Sequence, residues 1–201
     1  MLLHPSSRDR NRTWPQEKWQ ELTARLRADG HQVLSIGQRD DGQAGSVFKL
    51  DDVIDLIGAF SPIETIALMN SAQLLVATDS GPIQLAGSTD IGIVGIYSVV
   101  AGRNRLPYRN GTSAWRARAV LPECSFHPCY ERLLGSNEVI AYQTSGPKTA
   151  RENAKFFGDW CLNETPYACL SQEITVERVV EACQALLAGG EDALPPIGAP
   201  A

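Results

Sequence analysis

Long apolar runs are absent from this 201-residue sequence, and so are the short motifs of several common enzyme classes. No stretch approaches the roughly 20 apolar residues that cross a bilayer, and the apolar stretch at the N-terminus is too short for a signal peptide. The sequence also lacks Gly-x-Gly-x-x-Gly, Gly-x-Ser-x-Gly and the Gly-Lys-Ser/Thr of a phosphate loop, which disfavours the usual dinucleotide-binding, serine-hydrolase and P-loop classes. We therefore expect a soluble, cytoplasmic protein without a transmembrane segment.

An excess of basic charge is absent as well. The formal net charge is -5 and the pI is near 5.2, which disfavours nucleic-acid binding. The chain is 43% hydrophobic and 20% charged, as in ordinary globular proteins, and it is long enough for one domain with its own core. We predict a single domain over residues 1–188, with an irregular, cysteine-containing insert at about 99–172 and a flexible tail at 189–201.

Lysine is scarce, since the basic residues are 14 Arg and 4 Lys. Arginine suits bidentate contacts with phosphate. Two groups stand close together in sequence: Arg8, Arg10 and Arg12, and then Arg103, Arg105, Arg109, Arg116 and Arg118. They form either a solvated surface or a phosphate-facing patch on an otherwise acidic protein.

Short apolar runs alternate with helical patterns along the first half of the chain. Strands are predicted at 32–36, 53–57, 74–77 and 93–97, and helices at 15–29, 62–71, 82–88 and 174–187. Thr175 is predicted to cap the last helix, and Cys183 to lie in the core. Strands that are apolar throughout indicate a parallel sheet with helices on both faces, so the predicted class is α/β, Rossmann-like.

The residues from Leu74 to Ala86 join a strand, a polar turn and a helix. Ligands of open α/β sheets bind at the carboxyl ends of strands, and a helix N-terminus favours phosphate. Asp79 follows the strand and can accept hydrogen bonds from sugar hydroxyls, while Gly81 allows close approach of the backbone. Alternatively, Asp79 only caps the helix, by accepting from the amides of Gly81 and Ile83.

This turn resembles that of heptosyltransferases, glycosyltransferase family 9, which usually have Asp-Ser/Thr-Gly-x-x-His-Leu-Ala here. The positions that match are Asp79, Ser80, Gly81, Leu85 and Ala86, and Gln84 replaces the His. The opening segment is similar too, with Pro5-Ser6-Ser7, Arg12 and Trp14-Pro15 where the family has a small-residue loop, a basic residue and Trp-Pro. The resemblance covers about residues 3–98 and implies the C-terminal, donor-binding half of a two-domain GT-B enzyme.

The resemblance implies a site for a nucleotide-diphospho-sugar, with ADP-heptose the family's usual donor. Arg12 would neutralise phosphate charge and Asp79 would hold the transferred sugar. The other implied phosphate contacts are the hydroxyls and amides of Ser6 and Ser7 and the amides of Ser80, Gly81 and Ile83. Weaker candidates for the nucleoside are Gly37, Phe60 and, for the ribose, Asp40 or Asp41.

The implied reaction is inverting glycosyl transfer without a required cofactor, in which the leaving diphosphate is stabilised by Arg12, amides and the helix dipole. The catalytic residue stays unknown, because the family's base comes from an N-terminal domain that 201 residues do not accommodate. Gln84, Ser98 and Val99 depart from the family pattern. An acceptor-binding domain or subunit is therefore an expected partner. The alternative functions are a non-catalytic nucleotide-sugar-binding module, half of a split enzyme, or a metal-stabilised interaction domain.

Four of the five cysteines lie in the irregular segment, as Cys124-x4-Cys129 and Cys161-x7-Cys169. One interpretation is a structural zinc or iron site formed by these four thiols, with His127 as a spare ligand. Neither spacing is the tight Cys-x2-Cys of zinc modules. Reduced, partly buried thiols and disulfides are the alternatives that the spacing leaves open.

Overall fold

A six-stranded, fully parallel sheet forms the centre of the computed structural model, which describes residues 1–7, 9–39, 48–130, 161 and 163–189. The strands are β1 (Leu2–His4), β2 (Leu34–Ser35), β3 (Ile54–Asp55), β4 (Leu74–Thr78), β5 (Gly92–Ile96) and β6 (Ala117–Val120). Their order across the sheet is β3-β2-β1-β4-β5-β6. The order reverses between β1 and β4, as in Rossmann domains, so the predicted fold class is confirmed.

Two of the observed strands, β1 and β6, were not predicted from the sequence. β1 spans only three residues at the N-terminus, yet it pairs with both β2 and β4 and lies at the middle of the sheet. β6 lies inside the 99–172 segment that the sequence predicted to be irregular, and it pairs with β5 from Ile93↔Ala117 to Ile96↔Val120. Both were missed because strands of three or four residues are too short to produce a clear period.

Within the described ranges, four α-helices flank the sheet: α1 (Gln16–Ala28), α2 (Pro62–Asn70), α3 (Gly81–Ala86) and α4 (Val176–Leu187). Ser61 and Glu64 form a capping box at the start of α2. Thr175 caps α4 by accepting from the Arg178 amide, as predicted. In the part of the chain that the structure describes, no helix combines the length and the hydropathy that a membrane span needs.

The helices cover both faces of the sheet, as predicted. On one face α1 and α4 pack on Leu3, Leu74 and Val76, and Trp19 and Cys183 are fully buried among them. On the other face α2 and α3 supply Met69, Ile83 and Ala86 to a second core. The alternating strand residues therefore divide between two apolar layers, which explains why the strands read as continuous apolar runs.

The segment before α4 is tied to the start of α1. Trp14 Nε1 donates to the Ile174 carbonyl at 2.9 Å, and Lys18 Nζ donates to the carbonyls of Leu170 and Ile174 at 3.0 and 2.7 Å. These bonds hold the short π-helix at Cys169–Glu173 against the domain.

Arg109 does not belong to the phosphate-facing patch that the sequence suggested. Its side chain is buried, and its guanidinium donates to five backbone carbonyls at 2.7–3.4 Å, those of Ala86, Thr89, Ile91, Trp115 and Arg116. Arg109 thus joins the end of α3 to the start of β5 and to the entry of β6. Its hydrogen-bonding capacity is directed into the protein, so it cannot contact a ligand.

Candidate functional site

The candidate site lies at the carboxyl ends of the central strands. β1 and β4 are the neighbours between which the strand order reverses, and the loops that leave them diverge to opposite sides of the sheet. A crevice opens at such a switch point, where ligands of doubly wound sheets bind. The sequence motifs around Arg12 and Asp79 follow β1 and β4 in sequence, and the fold brings them together.

Asp79 is the most confined of these side chains, with 7% of its surface exposed. Its amide donates to the Ile96 carbonyl at 3.2 Å, which fixes the residue against the end of β5. Its Oδ2 lies 3.7 Å from Arg12 Nη1 and 3.8 Å from Arg105 Nε, and this buried oxygen accepts no hydrogen bond from the described residues. The capping alternative is wrong, because Ser80 is the N-cap residue of α3 and no side chain caps that helix.

Arg12 is anchored by its own chain. Nη1 donates to the Asp79 carbonyl at 3.1 Å, and Nη2 is hydrogen-bonded to the carboxylate of Asp9. The short 3₁₀ turn Arg10–Arg12 carries it, and the Arg12 amide closes that turn by donating to the Asp9 carbonyl. Arg12 therefore ties the loop after β1 to the loop after β4.

His4 also contacts the loop after β4, although no motif in the sequence singles it out. Together with Arg12, Asp79 and Ser80 it forms the polar junction. Its Nδ1 lies 3.1 Å from Ser80 Oγ, which itself donates to the Thr78 carbonyl at 2.9 Å. Burial lowers the pKa of His4 to about 4, so its ring is neutral at physiological pH. Gly37, at the end of β2, has φ +150°, and a Cβ there would lie 3.3 Å from the His4 ring. The sequence offers only a weak signal, because His4 directly follows the apolar residues 1–3, a run too short to predict a strand.

The other predicted phosphate contacts occupy different environments. Ser6 Oγ is buried and lies 3.7 Å from the position of a Cβ on Gly37, whereas Ser7 Oγ accepts from the Asp9 amide at 3.3 Å. The amide of Ile83 already donates to the Ser80 carbonyl at 3.2 Å within the first turn of α3. That amide is therefore occupied, unlike the exposed backbone at Gly81.

The predicted nucleoside contacts are less well defined by the fold. Gly37 lies beside His4, at the junction itself. Phe60 is 39% exposed and lies in the loop between β3 and α2. Asp40 and Asp41 lie outside the described residues, as does Arg8.

Tyr97 is a further polar residue at this end of the sheet. Its side chain is completely buried, and its hydroxyl has no hydrogen-bond partner among the described residues. Burial and, second, the Asp79 carboxylate raise the pKa of Tyr97, while Arg105 opposes them. These effects place Tyr97, Asp79 and Arg105 in one electrostatic neighbourhood. From the sequence, Tyr97 was predicted only as the last residue of a strand.

All four cysteines of the irregular segment line one small cavity of about 20 Å³. The members are Cys124, Cys129, Cys161 and Cys169, with His127 beside them. Burial, followed by the neighbouring thiols, raises the pKa of Cys129 to about 11 and that of Cys169 to about 12. All five cysteines of the chain are unbridged, and no three ligand-type side chains in the described ranges stand in metal-binding geometry.

Two hydrogen bonds are directed at sulfur atoms in this cysteine cavity. The Tyr167 amide donates to Cys161 Sγ at 3.2 Å, and Asn163 Nδ2 donates to Cys124 Sγ at 3.8 Å. Asn11 and Ser98 line the same cavity, and Ser98 Oγ donates to the Asn11 carbonyl. The cavity thus adjoins the turn that carries Arg12.

The strand order and the polar junction define a Rossmann-like α/β domain with a candidate ligand site at its switch point. The chain belongs to glycosyltransferase family 9 (heptosyltransferase), whose model matches residues 1–126. No curated protein sequence matches the chain.

Solved structures of this family share the fold. A family 9 glycosyltransferase from Veillonella parvula is 20% identical with a TM-score of 0.63, covering 94% of this chain and 46% of its own. The iron-containing dodecameric glycosyltransferase TibC of enterotoxigenic E. coli is 18% identical, with a TM-score of 0.66 and coverages of 94% and 44%. Heptosyltransferase II of E. coli is 17% identical, with a TM-score of 0.57 and coverages of 95% and 47%. The chain therefore spans about half the length of the structures it matches.

Proposed function

We propose that this chain is a donor-binding glycosyltransferase domain that holds a nucleotide-diphospho-sugar between the loops after β1 and β4. The observation that carries the proposal is the buried Oδ2 of Asp79, which accepts no hydrogen bond among the described residues and lies within 3.8 Å of two guanidinium groups. A buried carboxylate oxygen without a donor is costly. Sugar hydroxyls would supply the missing donors, and the two arginines would neutralise the negative charge of the diphosphate.

The donor that best fits is ADP-heptose. Support comes from the family and from TibC, a structure of which is described as a complex with ADP-D-beta-D-heptose. The proposed contacts are those the sequence suggested, namely Asp79 for the sugar, Arg12, Ser6, Ser7, Ser80 and Gly81 around the phosphates, and Gly37 and Phe60 toward the nucleoside. Ile83 is excluded as an amide donor, since its N–H is used within α3.

The chemistry would be inverting transfer, with the acceptor's base supplied by a separate acceptor-binding domain or subunit. In this domain the residues bind, orient and neutralise the leaving nucleoside diphosphate. Preorganised cations and amides lower the barrier because they do not reorganise as charge develops on the leaving oxygen.

Calorimetry with ADP, GDP, UDP and ADP-heptose tests the donor site. We expect the wild type to bind one nucleoside diphosphate, and Asp79→Asn to weaken ADP-heptose more than ADP, because only the sugar uses the carboxylate. Asp90→Asn is the matched control, since exposed Asp90 precedes β5 at its amino end. Absence of binding by the wild type would refute the donor site. Binding without transfer or hydrolysis would favour the non-catalytic or split-enzyme alternative.

We also propose that the cysteine cavity holds one structural zinc or iron ion. Thiolates suit both metals, the cavity has room for one small occupant, and the relative TibC is described as iron-containing. The thiols would have to move closer together and release their protons on binding. Elemental analysis of protein purified without added metal should find one ion per chain, lost in Cys124→Ser and kept in Cys183→Ala, where the thiol lies in the apolar core. A metal-free, fully reduced wild type would overturn this proposal.

A further inference from the structure

The two arginines beside Asp79 differ in how far their hydrogen-bonding groups are already used. Arg12 donates from Nη1 to the Asp79 carbonyl and from Nη2 to the Asp9 carboxylate. Its side chain is 26% exposed, and its buried Nε has no hydrogen-bond partner among the described residues. Both terminal nitrogens of the Arg12 guanidinium are therefore already used within the chain.

Arg105 approaches the same carboxylate oxygen. Its Nε lies 3.8 Å from Asp79 Oδ2, which is beyond hydrogen-bond distance. Its side chain is 49% exposed, and its guanidinium donates no hydrogen bond to the residues that the structure describes. A half-exposed guanidinium next to a buried site keeps its donors available for an incoming anion.

The backbone of Arg105 is nevertheless fixed. Its amide donates to the Gly102 carbonyl at 3.0 Å, and Gln84 Nε2 donates to the Arg105 carbonyl at 2.7 Å. Gly102 packs so closely on β6 that a Cβ there would lie 2.3 Å from Ala119 Cβ. The turn that carries Arg105 is thus pinned both to the sheet and to α3, while the long side chain can reorient.

We propose that Arg105 hydrogen-bonds the diphosphate of the bound nucleotide beside Arg12, and that Arg12 in addition fixes the position of Asp79. Gln84 acts through Arg105 by holding its backbone. This assignment rests on the proposed function, because it presupposes a nucleoside diphosphate at the switch point. The sequence motifs predicted only Arg12 as a charged phosphate contact, so Arg105 is an additional one.

Titration calorimetry on the full chain tests the assignment, with ADP and with inorganic pyrophosphate. Arg105→Gln should weaken both ligands about tenfold and leave the urea midpoint unchanged. Arg103→Gln removes the same charge from an exposed position on the same turn and should change affinity less than about twofold. Arg12→Gln should lower the urea midpoint as well as the affinity, because it releases Asp79 and Asp9.

Gln84→Met separates positioning from direct contact, since it keeps the side-chain length and removes the amide donor. We expect it to weaken ADP about threefold in the wild type. In the Arg105→Gln background it should have no further effect, because the two residues act along one path. Arg105→Lys should recover part of the affinity.

The outcomes are distinguishable. If Arg105→Gln binds as tightly as the wild type while Asp79→Asn weakens ADP-heptose, the assignment fails and the proposed function stands. Equal losses of affinity in Arg103→Gln and Arg105→Gln would mean that only the overall positive charge matters, and would overturn the assignment. If the wild type binds neither ADP nor pyrophosphate, the assignment is overturned, and failure with GDP, UDP and ADP-heptose as well overturns the proposed function.

Discussion

Acidification should destabilise the domain through His4. The ring is 8% exposed, and burial lowers its pKa from 6.5 to about 4. Between these two values the unfolded chain binds a proton that the folded chain does not, so the free energy of unfolding falls as the pH falls. The contribution is fully present above the unfolded pKa. One pKa unit corresponds to about 1.4 kcal/mol, so the loss reaches about 3 kcal/mol by pH 4 and about 2 kcal/mol by pH 5.

Urea unfolding followed by tryptophan fluorescence measures this loss, because Trp14 and Trp19 are fully buried. The comparison variant is His4→Asn, whose amide nitrogen can replace Nδ1 as the partner of Ser80 Oγ but does not titrate. Carboxylates titrate in both proteins, so the difference between their pH profiles isolates His4.

From pH 7.5 to pH 5 the wild type should lose about 2 kcal/mol more than His4→Asn. Parallel profiles would refute the reasoning, since they would mean that His4 has the same proton affinity in the folded and unfolded states. A steeper loss in the variant would contradict the sign.

Three further predictions concern stability and ligand binding. Arg109→Met should lower the free energy of unfolding by about 3 kcal/mol or more, because it leaves buried carbonyls without donors; Arg103→Met, at an exposed position, should stay within about 0.5 kcal/mol in the same urea assay. Trp14→Phe should cost about 0.5–1.5 kcal/mol through loss of one of the two hydrogen bonds to the Ile174 carbonyl, and an unchanged urea midpoint would show that this bond does not tie the segment before α4. Gly81→Ala should leave stability within about 0.5 kcal/mol, since a Cβ there meets no atom within 4 Å, but should weaken ADP in calorimetry; full affinity would remove Gly81 from the phosphate contacts.

The predicted strand bounds agree with the structure for the longest strands and less well for the short ones. The strands β4 and β5 are five residues long, fully buried and apolar except for Thr78, and the sequence located both to within a residue at each end. β1 was missed, and His4 was missed with it, because three residues carry no measurable period.

The residues of the candidate site also differ in whether a local sequence pattern predicts them. Asp79 was selected because a polar turn after a buried strand is a local pattern. Arg105 and Tyr97 lie far from Asp79 along the chain, and only the packing of the loop after β5 brings them together. Arg109 shows the converse, since it belongs to an arginine-rich segment in sequence, yet its guanidinium faces buried carbonyls.

Neighbouring residues in the sequence suffice to predict the alternation of strands and helices, the similarity to family 9 and the position of the Asp79 turn. The folded structure is needed to show that β1 is central, that His4 contacts Ser80, and that Arg12 is anchored while the Arg105 guanidinium donates to none of the described residues. These relations depend on which strands pair and on which side chains burial leaves with or without partners. Such contacts join residues tens of positions apart, and no local pattern specifies them.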